Sequence, residues 1–207
     1  MKLQRILAGA ATAVLLASPA FAQQGASMRA TAPAPQLTQY AIDTVHSELS
    51  FRIRHLFGRV AGTFGNWEGV VAIDTVTPAN SSVNVTIRTA SIDTRVPQRD
   101  DHLRTSDFFA VDSFPTMTFR STNVTWQGRT IRIVGDLTLR GHTQPVVLVG
   151  TYEGRFKDPW GQMRTAFIAS GTIDRQDFGV SFNAPFETIG QIGDEVWIEI
   201  AIEAVQQ

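Results

Sequence analysis

Along residues 46–56, HSELSFRIRHL, the odd positions Leu49, Phe51 and Ile53 are apolar and the even positions Glu48, Ser50, Arg52 and Arg54 are polar. That period of two belongs to a strand with one buried and one wet face. The pattern recurs down the chain. SSVNVTIRT sets Val83, Val85 and Ile87 against Asn84, Thr86 and Arg88, and IRIVGDLTLRG sets Ile131, Ile133, Leu137 and Leu139 against Arg132, Asp136, Thr138 and Arg140. VWIEIAIEA sets Val196, Ile198, Ile200 and Ile202 against Trp197, Glu199 and Glu203. Further strands are predicted near 60–74, 116–126, 145–156, 163–174 and 180–188. Turn chemistry separates them at Gly128, Gly141-His142, Asp158-Pro159-Trp160-Gly161 and Gly190 to Gly193. With the opening strand, that makes about nine segments.

One stretch breaks the alternation. VPQRDDHLRTSDFF, residues 96–109, has Pro97 at a first helical position and acidic residues in the first turn, which predicts a short helix laid on the sheet or across its end. Many strands, one short helix and no cysteine give an all-β domain, either a sandwich or a closed antiparallel barrel.

Composition changes this picture in two ways. The first 22 of the 207 residues read as a secretory signal: Lys2 and Arg5, an apolar run from Ile6 to Ala17, then Ala20-Phe21-Ala22. That run is shorter than the about 20 residues a bilayer span needs, so no transmembrane span is expected in the mature chain. Residues 23–38, rich in Ala, Pro, Gln and Thr, read as a flexible leader, with the folded domain over 39–207. Without the signal, 16 basic residues face 19 acidic ones. A mixed, mildly acidic surface argues against nucleic acid or an anionic membrane face as the main partner. The chain has no cysteine, so a lipoprotein anchor is not expected and an exported domain must rely on its apolar core. The expected location is periplasmic or secreted.

Candidate chemistry is sparse. His46 and His55 sit nine residues apart, which sends them to opposite faces of a regular strand. His102 and His142 stand alone, with no HxH, HExxH or cysteine partner, so no metal site is expected. His55, on the apolar side, reads as a buried imidazole bonded to backbone or as a contact to a ligand head; His46 reads as a tie to a neighbouring loop. Arg99, Asp100 and His102 bring a carboxylate and an imidazole together. At a helix start, however, Asp100 serves as a cap or dipole partner and Arg99 pairs with an acid. Asp174 to Gly179 reads as a turn held by Asx hydrogen bonds. GxSxG, GxxxxGK and GxGxxG are all absent, so no catalytic residue and no cofactor is assigned.

Four stretches carry a resemblance. DTVHSELSF with RHL at 54–56, RDDHLRTSDFF with SFPTMTF at 113–119, TIDRQDFGV at 172–180, and GDLTLRGHTQPVVL at 135–148 resemble, in order and spacing, the YceI-like family. The match covers roughly residues 39 to 205, and Asp101 falls at the variable place of the RD-x-HL frame. The resemblance implies an exported, lipocalin-like antiparallel β-barrel of about eight strands that binds polyisoprenoid chains, including quinone tails, in an elongated apolar cavity.

An eight-stranded barrel encloses room either for its own side chains or for one ligand, and alternation fits both. The resemblance favours the ligand. With a ligand inside, the apolar faces and the spread of phenylalanines place its wall at Phe51, Ile53, His55, Phe64, Val85, Ile87, Phe108, Phe109, Met117, Phe119, Leu137, Phe167, Phe178 and Phe182. The partner the resemblance implies is a polyisoprenoid lipid or isoprenoid quinone, with a homodimer left open. Two other readings stand beside it: a hydrolase or isomerase acting on a bound lipid through His102 with Asp100 or His55, and a ligand-free, stress-related structural module.

Overall fold

Each alternating segment folds as a strand, because only a pleated strand turns a period-two pattern into one continuous apolar face. The computed structural model describes residues 37–182 and 192–207. In chain order the strands are β1 (Leu37–Ile42), β2 (Glu48–His55), β3 (Gly58–Phe64), β4 (Trp67–Asp74), β5 (Ser82–Arg88) and β6 (Ile92–Asp93). The helix α1 (Pro97–Arg104) follows, then β7 (Thr116–Gln127), β8 (Thr130–Leu139), β9 (His142–Lys157), β10 (Met163–Asp174) and β11 (Ile192–Gln206).

The expected segment at 60–74 is therefore two strands, broken at Gly65-Asn66. The expected strand at 180–188 is not extended over its described part, since Val180–Phe182 are coil. Arg175 holds that coil by donating to the carbonyls of Val180 and Phe182. Residues 183–188 lie outside the described residues, as does the proposed signal segment. Strand β1 begins at Leu37, inside the stretch read as leader, because Leu37 to Ala41 pair with Asp74 to Val70.

All pairings are antiparallel. Strands β1, β4, β5, β7, β8, β9, β10 and β11 follow one another around the sheet, and β1 returns to β11 through Tyr40↔Gln206 and Ile42↔Ala204. This is a closed eight-stranded barrel. Long β11 takes β1 along its last turn of pairing and β2 along Val196 to Ala201, so β1 and β2 stand end to end beside it. Between them the turn at Asp43–Ser47 is pinned to Glu203: Asp43 N–H and Ser47 Oγ donate to its carbonyl, and its N–H donates to Ser47 Oγ. Strands β3 and β6 continue outward from β2.

Register defines two ends. At one lie His55, Ile192, Asp174, His142 and Thr116, with α1 beside them; at the other lie Tyr40, Asp74, Gln127 and the β9–β10 turn. Helix α1 has Pro97 at its start but no side-chain N-cap, and at eight residues it would not persist alone. Tertiary bonds fix it. Arg104 donates to the carbonyls of Ala90 and Ile92, and Arg140, at the end of β8, donates to those of Ser106 and Phe108.

Candidate ligand cavity

The inner faces of these strands surround a cavity of about 520 Å³, within the range of small-molecule sites, ~300–1,000 Å³. Its wall is almost wholly hydrocarbon. At about 3.3 Å per residue, the lining stretch from Ile192 to Ile202 runs roughly 33 Å along β11. For strands tilted by about 40° that is about 25 Å along the barrel. The cavity is long and narrow.

All but one of the residues proposed for the wall line it. Phe51, Ile53 and His55 do so from β2, Phe64 from β3, and Val85 and Ile87 from β5. Met117 and Phe119 face it from β7, Leu137 from β8 and Phe167 from β10; Phe108, Phe109 and Phe182 come from the loops at the helix end. The exception is Phe178. It is 1% exposed inside the core, beneath the short 3-10 turn Gln176–Phe178, and does not reach the cavity. Gly179 ends that turn at φ 71, a left-handed conformation that glycine adopts without strain, and this buries the ring before it.

The candidate list also missed much of the wall. Leu49, Trp67, Ile131, Ile133, Leu148, Ile198, Ile200 and Ile202 line the cavity too. Several stood on the apolar faces read from alternation. Phenylalanine alone was an incomplete guide.

Aromatic rings are grouped at the helix end. Phe64 packs between Phe51 and Phe109, with centroids 5.7 and 5.8 Å away. The imidazole of His102 stands edge-on to Phe108 and Phe182, at 5.1 and 5.0 Å. Such edge-to-face pairs add about 0.5–1.5 kcal/mol beyond burial.

The polar lining residues are mostly at this same end. Arg54, His55 and His102 are exposed and line the cavity, so its mouth opens here. The reading of His55 as a buried imidazole bonded to backbone is corrected: β2 and β3 run on to a hairpin tip past the start of β11, which leaves the ring in water. Arg99 also departs from expectation, since among the described residues it pairs with no acid. It donates to Thr94 Oγ1 at 2.7 Å and to the Thr94 carbonyl at 2.8 Å. Asp100, buried, accepts from Thr94 N–H at 2.9 Å and from Thr94 Oγ1 at 2.5 Å, which ties the helix start to β6. His102 Nε2 lies 2.9 Å from Asp107 Oδ2. His46 Nδ1 lies 2.8 Å from Asp43 Oδ2, a bond within its own Asp43–Ser47 turn and not to a neighbouring loop.

Arg175 is the functional-looking cation whose role the sequence left unread. It is 4% exposed, donating to the carbonyls of Gly193, Val180 and Phe182 and to Asp194. These bonds strap the chain around the mouth. The expected Asx bond is present beside it, from Gln176 N–H to Asp174 Oδ1 at 2.8 Å.

At the opposite end the lining includes Ser81, Ser82 and Trp126, all half-buried. Trp126 packs edge-on to Tyr152, and its Nε1 is buried with no hydrogen-bond partner among the described residues. Beyond them, Arg164 joins Asp43 at 2.8 Å, Asp158 at 3.0 Å and Glu203 at 3.2 Å. The Arg164 hydrogen bond, helped by His46 and by Val45 N–H and opposed by burial, holds the Asp43 carboxyl down at about 2. Among the described residues, no group of three or more His, Asp or Glu side chains is placed to hold a metal ion, and no helix is long and apolar enough to cross a membrane.

Comparison with known proteins gives consistent results. The family model described as YceI-like domain matches residues 40–204. "Protein YceI" of Shigella flexneri is 40% identical over 185 residues, covering 88% of this chain and 94% of that protein. The crystal structure of Burkholderia cenocepacia BcnA superposes with a TM-score of 0.71 at 23% identity, covering 79% of this chain and 99% of the other. A polyisoprenoid binding domain from Saccharophagus degradans, implicated in plant cell wall breakdown, has the same fold with a TM-score of 0.59 at 16% identity, covering 81% of this chain and 98% of the other.

Proposed function

This chain belongs to the YceI-like family, and from that premise we propose that it is a periplasmic carrier for long-chain polyisoprenoids, whether isoprenoid quinones or polyprenyl lipids. The observation that carries the reading is the long hydrocarbon-walled cavity with its polar side chains at the mouth. The binding named for the Saccharophagus degradans domain supports it. The signal-like residues 1–22 support export.

Magnitudes assign the affinity to the tail. Each isoprene unit buries about five carbons at about 0.8 kcal/mol each, or about 4 kcal/mol gross. Association and ordering cost about 4–15 kcal/mol. A tail of one or two units barely breaks even, whereas a long tail binds with no strong polar contact. Selectivity is then for chain length more than for head group.

Binding without turnover is the reading that the polar residues support. A general acid or base has to reach the reacting atom, while the Asp100 carboxylate is buried and engaged by Thr94. The test is organic extraction of the protein purified from its native compartment, followed by mass spectrometry. Prenyl lipid in near-stoichiometric amount is the expected result. Its absence, together with no uptake of added quinone, overturns the proposal.

A further inference from the structure

We propose that the tip of the β2–β3 hairpin docks the cavity mouth onto a bilayer with acidic lipid headgroups, so that cargo passes between membrane and barrel without crossing water. This rests on the polyisoprenoid reading of the cavity, because such a cargo resides in membranes.

Phe57 at the tip is fully exposed, with a relative accessibility of 106%, and Leu56 beside it is 41% exposed at φ 51. An aromatic ring wholly in water adds nothing to the fold. Around it, residues 52–59 read RIRHLFGR, with three arginines and no acid. The tip is built to stay in this arrangement. Arg52 is held by Glu199, Arg59 lies 4.0 Å over the Trp197 ring, and Arg54 reaches back to the Leu56 carbonyl at 3.4 Å. Asp194, close by in sequence to Gly193 under Arg54, is engaged by Arg175. The surface as a whole is mildly acidic, and Arg52 is paired with Glu199. Arg54 and Arg59 nonetheless flank this apolar point, a local pattern that matches the interface of an anionic bilayer, where rings sit at the acyl boundary and arginines at the phosphates.

The same hairpin walls the cavity. Arg54 and His55 are exposed at the tip and also line the mouth, so a bilayer meeting Phe57 meets the opening. The barrel's other end also bears an exposed ring, Trp160 at 82%, but the lining residues there are half-buried. Trp160 is therefore the control.

The test is co-sedimentation of the protein, purified after export, with phosphatidylethanolamine vesicles containing phosphatidylglycerol, against vesicles of phosphatidylcholine. The protein is expected to prefer the acidic vesicles and to leave them as ionic strength rises. Phe57→Ser should weaken association roughly tenfold or more, the order expected from losing one inserted aromatic side chain. Trp160→Ser should associate like the parent. No vesicle association, undiminished association of Phe57→Ser, loss in Trp160→Ser, or a dimer that Phe57→Ser dissolves would each overturn the proposal. Uptake of an octaprenyl quinone from detergent, with no vesicle present, reads the cavity separately and should be the same for Phe57→Ser and parent. If neither takes up quinone, the cargo reading fails while the vesicle result still stands by itself.

Discussion

The ring of Phe51 lies across the bare Cα of Gly62, its cross-strand partner in the β2–β3 register, so closely that a Cβ on Gly62 would come within 2.5 Å of Phe51 Cζ. Phe119 lies over Gly135 diagonally across β7 and β8, where its own register partner is Leu137 and that of Gly135 is Ser121. In both places a glycine lets a large ring lie flat along the wall. Space that a second side chain would fill is left to the cavity.

Gly62→Ala should therefore push the Phe51 ring inward. The nearest atoms to a new Cβ are side-chain atoms of Phe51 and Thr94, so the barrel can yield, at about 1–3 kcal/mol. The expected outcome is a folded protein that takes up long-chain quinone less well, measured by circular dichroism and a binding titration. Unchanged uptake would show that the ring does not border the ligand.

Phe51→Asp puts a charge where the tail would lie. Phe51 is only partly buried in the described structure, so the apo protein should still fold while lipid uptake falls. Phe178→Ala is the contrast. That ring is fully buried and off the cavity, so its loss should cost about 3–5 kcal/mol with or without ligand. Chemical denaturation of both variants, with and without quinone, separates the two kinds of phenylalanine. If Phe51→Asp cannot fold, Phe51 belongs to a dry core.

Much of this was legible in the sequence. Alternation in β2, β5, β8 and β11 gave the inward faces, and Pro97 gave the helix start, since both signals depend on neighbours a few residues away. The cavity was not legible from alternation, because Ile200 facing a void and Ile200 facing another side chain obey the same period. Phe178 was misassigned and Arg175 unread for a related reason. Phe178 is buried by a 3-10 turn and Arg175 by bonds to distant residues, Gly193 and Asp194, which no local pattern encodes. The position of His55 depended on how far the hairpin runs past β11, again a matter of register between strands.

His102→Ala removes two edge-on ring contacts and the bond to Asp107. A loss of about 1 kcal/mol lowers the melting temperature by about 2–4 °C in a protein of this size. Quinone uptake should weaken in parallel, because Phe108 and Phe182 line the mouth. Turnover of a lipid by the parent that vanishes in His102→Ala, with binding intact, would favour an enzyme instead.

Acid should loosen the barrel around Arg164, where Asp43 and Asp158 meet. The Asp43 carboxyl titrates at about 2 in the folded protein against an ordinary value of 3.8. A depressed folded value means that ionised Asp43 adds stability above about pH 4, lost as pH falls from about 4 to about 2. Asp158 changes in the same direction: burial raises it, but Arg164 and the N–H groups of Gln162 and Trp160 outweigh that. Melting temperature should therefore fall over this window, and Asp43→Asn should show a shallower fall. Identical profiles would dissociate Asp43 from acid stability.

The central claim is that a hydrocarbon cavity holds a long prenyl tail, and titration of delipidated protein with quinones that share one head group and differ only in tail length tests it most directly. Affinity should be undetectable for one or two isoprene units, rise steeply with each added unit, and level off once the tail spans the cavity. Equal affinity for short and long tails, or no binding at any length, would contradict it.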